Sequence, residues 1–145
     1  MKTRRPFARA RAIEQSLAAF ATRCADPAPI VYTRVFTLHP GVEDQFQRDT
    51  RGFIRGEMLS RAFEVILDYV DDRLYADAMI GAELVTHDGY HVPRDVFVSF
   101  FGCIRDAVRE TLGAAWTADV EEAWEELLVE FGMLVGVAPR DSGAA

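Results

Sequence analysis

The sequence predicts an all-α protein, and three observations lead there. Apolar residues recur at three- and four-residue spacing along most of the chain, no stretch shows the strict alternation of a half-buried strand, and proline or glycine falls where each helical run has to stop. Of 145 residues, half are hydrophobic and 11% aromatic, which suffices for one domain with a proper core.

The elements follow in order. Ile13, Leu17 and Phe20 share one face of a helix from about Ala10 to Arg23. Asp26-Pro27 breaks it and opens a second helix, since proline is tolerated in a first turn. That helix carries Ile30, Val31, Tyr32, Val35 and Phe36 and ends near His39-Pro40-Gly41. A short turn with Val42 and Phe46 leads into a polar link over 47–52. From Phe53 to Val70 a wide apolar stripe includes Leu59, Ala62, Phe63 and Ile66. Asp71-Asp72-Arg73 closes it, and Leu74 to His87 reads as a further helix with Gly81 as a weak point. Pro93 starts a strongly periodic helix through Phe97, Phe100, Phe101, Ile104, Val108 and Leu112, stopped at Gly113. Thr117 is the expected N-cap of the last helix, which buries Val120, Trp124, Leu127 and Phe131.

Composition narrows the function classes. A net charge of −7 argues against nucleic acid as the main partner. Much of the acidity sits in Asp119, Glu121, Glu122, Glu125, Glu126 and Glu130, the solvated face of the last helix. No apolar run reaches the roughly 18 residues of a membrane span. Arg4-Arg5 resembles an export signal only superficially, because no apolar core or cleavage site follows. Cys24 and Cys103 are far apart, which excludes a disulfide framework and makes a reducing, cytoplasmic setting the expectation. The expected division is a basic flexible arm over 1–9, one domain over 10–137 and a flexible tail over 138–145.

Phosphate loops, zinc-protease motifs and nucleophile elbows are missing. What remains is His87, at the end of the apolar run Met79 to Thr86 and just before Asp88-Gly89-Tyr90-His91-Val92-Pro93. An imidazole in the last turn of a helix, beside an apolar crevice, suits a large flat metal cofactor. His87 and His91 are four apart, but Gly89 and Pro93 make a continuous helix, and hence a two-histidine zinc clip, a poor reading.

Tyr32-x3-Phe36-x3-Pro40-x5-Phe46, followed about forty residues later by His87 and then Val92, resembles the globin family. The resemblance is to single-domain bacterial globins and the globin half of flavohaemoglobins, and runs from about Ile13 to Leu134. Leu112-Gly113-Ala114-Ala115-Trp116-Thr117, with Val120 and Trp124, is similar to the entry of that family's last helix. It implies a globin-like 3-over-3 helical sandwich around one b-type haem. The haem would be held non-covalently, since no Cys-x-x-Cys-His motif exists.

The resemblance also implies roles. His87 would be the proximal iron ligand, its second ring nitrogen donating to a nearby acceptor. Phe46 would pack on the porphyrin, with Val92, Phe97 and Phe100 lining the proximal side. Tyr32 would give a distal hydrogen bond to dioxygen. On the distal helix, one register offers Arg55 with Leu59 and another Ile54 with Met58. The first is preferred because it also aligns Phe63 and Val70 with apolar family positions, and Arg55 would then reach a propionate or the gas. Glu83 stands where the family has an apolar residue, and Glu130 is a candidate to pair with the proximal imidazole. The implied function is reversible binding of a diatomic gas (O2, NO or CO) by a monomer or homodimer, for transport, storage or supply. The alternatives are nitric oxide dioxygenation or other haem redox chemistry with an external reductase, and a globin-fold sensor or interaction module.

Overall fold

The computed structural model describes residues 7–137, and all regular structure among them is helical. Helix α1 spans Ala10–Arg23, α2 Ala28–Leu38, α3 Phe53–Val70, α4 Ala76–Gly89, α5 Arg94–Leu112 and α6 Ala118–Val135. A 3-10 segment, Pro40–Phe46, follows α2, and a shorter one, Gly113–Ala115, follows α5. Helices α1, α3 and α4 form one layer over α2, α5 and α6.

Each boundary has a local cause. Pro27 is the N-cap of α2, and Pro29 lies in its first turn. Gly113 ends α5 at φ +52, a conformation that disfavours a Cβ. Thr117 caps α6, its hydroxyl accepting the Val120 N–H at 3.3 Å. Helix α4 begins two residues later than the apolar pattern suggests. Arg73 takes a left-handed turn (φ +55), and the Asp68 carboxylate accepts the N–H groups of Leu74, Tyr75 and Ala76 at 3.0, 2.9 and 2.7 Å. Helix α4 then runs unbroken through Gly81 to Gly89, because a single glycine lowers helix propensity by only about 1 kcal/mol.

The core is built where the layers meet. Trp124, Phe131, Ile13, Ile66, Ile104 and Leu127 are its largest fully buried side chains. Phe131 stands edge-on to both Tyr69 and Phe101, at 4.9 and 4.8 Å between ring centroids, a favoured aromatic arrangement. The Trp124 indole N–H donates to Ser16 Oγ at 3.0 Å, and Ser16 donates onward to the Ile13 carbonyl at 2.8 Å. Both polar groups are thereby satisfied in an apolar interior.

At the N-terminus, Phe7 is buried against Tyr69, and Arg9 pairs with Asp119 and Glu122 of α6. These contacts fall inside the arm expected over 1–9. The rest of that arm, 1–6, and the tail over 138–145 lie outside the described residues.

Candidate functional site

His87 occupies the last turn of α4 and is half-buried. Its Nδ1–H donates to the Glu83 carbonyl one turn back, at 2.7 Å. That bond fixes the tautomer in which Nε2 carries the lone pair, and Nε2 has no hydrogen-bond partner among the described residues. The imidazole lies 4.9 Å from the Phe97 ring, measured between centroids. Beyond His87 the chain turns at once. The Val92 N–H returns to the His87 carbonyl at 2.9 Å, and His91 sits in the left-handed region at φ +60. Arg94 pins this corner by donating to the Val135 carbonyl at 3.0 Å and pairing with Asp88 at 3.2 Å.

A run of aromatic rings joins His87 to the opposite wall. Phe97 meets Phe101, Phe101 meets Phe100, and Phe100 lies 5.5 Å from Tyr32 between centroids. Tyr32 in turn touches Phe36 and Phe46, at 5.8 and 5.7 Å. Phe36, Phe46, Val92, Phe97 and Phe100 are all half-buried, whereas Tyr32 and Leu59 are buried. The fold thus gathers on one flank a histidine with a free ring nitrogen and a set of apolar side chains that the protein only half covers.

On the wall formed by α2 and α3, the Tyr32 hydroxyl donates to the Arg55 backbone carbonyl at 3.0 Å. Burial pushes the Tyr32 phenol well above its ordinary range, with the Arg55 charge pulling weakly the other way. It is therefore a neutral donor at any physiological pH. The Arg55 side chain folds back onto Asp49. Its Nε lies 3.1 Å from Asp49 Oδ2, and its Nη2 donates to the Asp49 carbonyl at 2.8 Å. Of the two registers left open by the sequence, Leu59 is buried one turn after Arg55, while Ile54 is 55% exposed.

Two carboxylates behave as the sequence alone could not say. The Glu83 side chain pairs with Arg61 of α3 at 3.0 Å, bridging α3 and α4, and its other oxygen stands 3.8 Å from His87 Nδ1. Glu130 accepts the Tyr69 hydroxyl, so it is engaged away from the imidazole. Asp49 lies within the polar link over 47–52. Its only sequence signal is an acidic residue shortly before an apolar helical stripe.

These residues fit a planar, largely apolar, metal-bearing group. The donor set is one imidazole oriented from behind, and the walls are aromatic and aliphatic rather than charged. No group of three or more His, Cys, Asp or Glu suited to a metal ion occurs among the described residues, which leaves His87 without a zinc-type cluster. No helix among them is long and apolar enough to cross a membrane.

Comparison with known proteins agrees. No curated protein and no solved structure matches the chain. A family model described as Globin matches residues 30–133, the stretch that holds every side chain of this flank. The chain belongs to the globin family, whose members typically bind haem and, through it, diatomic gases such as O2.

Proposed function

We propose that the protein binds one b-type haem non-covalently through His87 and uses it to bind a diatomic gas reversibly, with O2 the leading candidate. The observation that carries this reading is the His87 tautomer. The 2.7 Å bond from Nδ1–H to the Glu83 carbonyl leaves Nε2 as the only ring nitrogen able to ligate, on the flank lined by half-buried aromatics.

When bound, haem would supply an iron centre able to take a diatomic gas, with His87 as the residue that would hold it. The chain's own residues do the rest. Glu83, through its carbonyl, orients the imidazole. Phe46, Val92, Phe97 and Phe100, half-buried on this flank, would exclude water and hold the macrocycle by apolar contact. Tyr32 is the neutral donor on the distal side, and Leu59 is the apolar surface next to it. Arg55 contributes its backbone carbonyl to the same wall. The free cysteines, Cys24 and Cys103, support a reducing and hence cytoplasmic setting.

A second reading has one feature in its favour. The Glu83 carboxylate 3.8 Å from Nδ1 would make His87 a more electron-rich ligand, which suits redox chemistry such as nitric oxide dioxygenation served by an external reductase.

Haem loading tests the first reading. The wild-type protein should take up hemin one-to-one and show an intense Soret band with the spectrum of a histidine ligand. His87→Gly should lose that spectrum and recover it when free imidazole is added. Tight hemin uptake by His87→Gly with an unaltered spectrum would remove His87 as the ligand. Stopped-flow consumption of nitric oxide by the oxygenated protein, with and without a reductase, separates the two readings.

A further inference from the structure

Asp49 is the only buried residue in the segment 47–52, at 7% exposure. Its carboxylate accepts the N–H of Ile54 at 3.1 Å and the N–H of Arg55 at 3.0 Å, and so closes the first turn of α3. The same carboxylate holds the Arg55 guanidinium, and the Asp49 carbonyl takes a further bond from it. Asp49 therefore grips Arg55 at both backbone and side chain. The Arg55 carbonyl, fixed in this way, receives the Tyr32 hydroxyl.

A phenol has one proton to donate. While it rests on the Arg55 carbonyl it is not available to a gas molecule, and the guanidinium paired with Asp49 adds little positive potential to the distal wall. A polarised ligand can win the proton from a neutral carbonyl, because hydrogen bonds to charged groups are stronger. It wins less affinity than a free phenol would give it.

We propose that Asp49 is a positioning residue that sets distal polarity: by clamping Arg55 it presents the carbonyl that holds the Tyr32 proton, and so weakens the hydrogen bond offered to the gas. The proposal rests on the reading of Tyr32 as the distal donor.

The test uses the haem-loaded protein and two readouts, the infrared C–O stretch of the carbon monoxide complex and the O2 off-rate. Asp49→Asn keeps one capping oxygen but places amide hydrogens where the Arg55 donors arrive, which frees the guanidinium and loosens the carbonyl. The C–O stretch should move to lower frequency, as a more positive distal field requires. The O2 off-rate should fall about two- to tenfold, the range one ordinary hydrogen bond represents. Asp49→Ser, a neutral cap that cannot hold a guanidinium, should give the same shift and serves if Asp49→Asn does not fold. Adding Tyr32→Phe to either variant should remove the gain.

If Tyr32→Phe alone changes the readouts while both Asp49 variants leave them unchanged, or speed O2 release, the proposal is overturned and the distal role of Tyr32 stands. If Tyr32→Phe changes neither readout in any background, the distal reading falls and the proposal with it.

Discussion

Removing the Asp68 carboxylate should loosen the helix that carries His87. Helix α4 has no capping side chain of its own at Tyr75; its first N–H groups are met from the end of α3 by Asp68. Leu74 and Tyr75 are exposed, so water can replace two of the three bonds in Asp68→Ala. Ala76 is fully buried, and its N–H would be left without an acceptor. Loss of a helix cap costs about 1 kcal/mol, within a range of 0.5–2, and an orphaned buried N–H costs about 1–3 kcal/mol. The two count the same Ala76 N–H and so overlap, and about 1–3 kcal/mol is expected in all. For a domain of this size that lowers Tm by roughly 3–12 °C, at about 3–4 °C per kcal/mol. Asp68→Asn keeps one acceptor and should cost roughly half as much. Urea titration of the haem-free protein measures the stability, with an unchanged m-value showing that the same two states are compared. Hemin transfer to an acceptor apoprotein then measures whether α4 has lost its hold, and should be faster in Asp68→Ala. Stability within about 0.5 kcal/mol of wild type, the usual scatter for neutral surface changes, would refute the view that this carboxylate anchors α4.

Three further outcomes are expected. Ser16→Ala strands the Trp124 indole N–H in the core and should destabilise by about 1–3 kcal/mol in the same titration, whereas Ser16→Thr, which keeps the hydroxyl, should recover part of that loss. In the native protein an alkylating reagent should label Cys24 alone, because Cys103 is buried and its thiol is pushed up to about 11, chiefly by burial and then by Asp106; mass spectrometry should find the second label only after unfolding. Asp49 should contribute to acid stability: burial alone would raise its carboxyl, but the combined hydrogen bonds and charge of Ile54 and Arg55 hold it below its ordinary value. The unfolded chain therefore binds the proton first, so this stabilisation is present above about pH 4 and is lost as pH falls through the lowered value. Wild type and Asp49→Asn should accordingly converge in stability at low pH; a gap that stays constant below pH 4 would contradict the assignment.

How much of this was legible in the sequence depends on the range of the interaction. Helices α1 and α3 begin and end where the apolar spacing and the Gly, Pro and Asp punctuation place them, because those signals act within a turn or two. Thr117 was legible as a cap for the same reason. The family was legible because Tyr32, Phe36, Pro40, Phe46 and His87 keep fixed intervals on elements whose order is itself set locally. Polar pairings between elements were not. Glu130, a sequence candidate to pair with His87, accepts the hydroxyl of Tyr69 from another helix. The Arg55 guanidinium meets Asp49, a partner that the helical pattern does not mark. Nothing in a periodic pattern records which of several carboxylates a cation or phenol will meet after folding.

The same limit hid a shared feature of the two helices that face the site. Neither α3 nor α4 is capped by the side chain that immediately precedes it, Gly52 in one case and Tyr75 in the other. Each is closed by a buried aspartate from further upstream, Asp49 for α3 and Asp68 for α4. A carboxylate at a helix N-terminus satisfies orphan N–H groups and is favoured by the helix dipole. Because each aspartate also belongs to the preceding segment, it fixes the angle at which the next helix departs as well as its first residue. Asp68, on α3, thereby ties the start of α4 to α3, while Asp49 ties the start of α3 to the link that follows Phe46. The separation of the Tyr32–Arg55 wall from His87 is thus held by two carboxylates that touch neither His87 nor Tyr32.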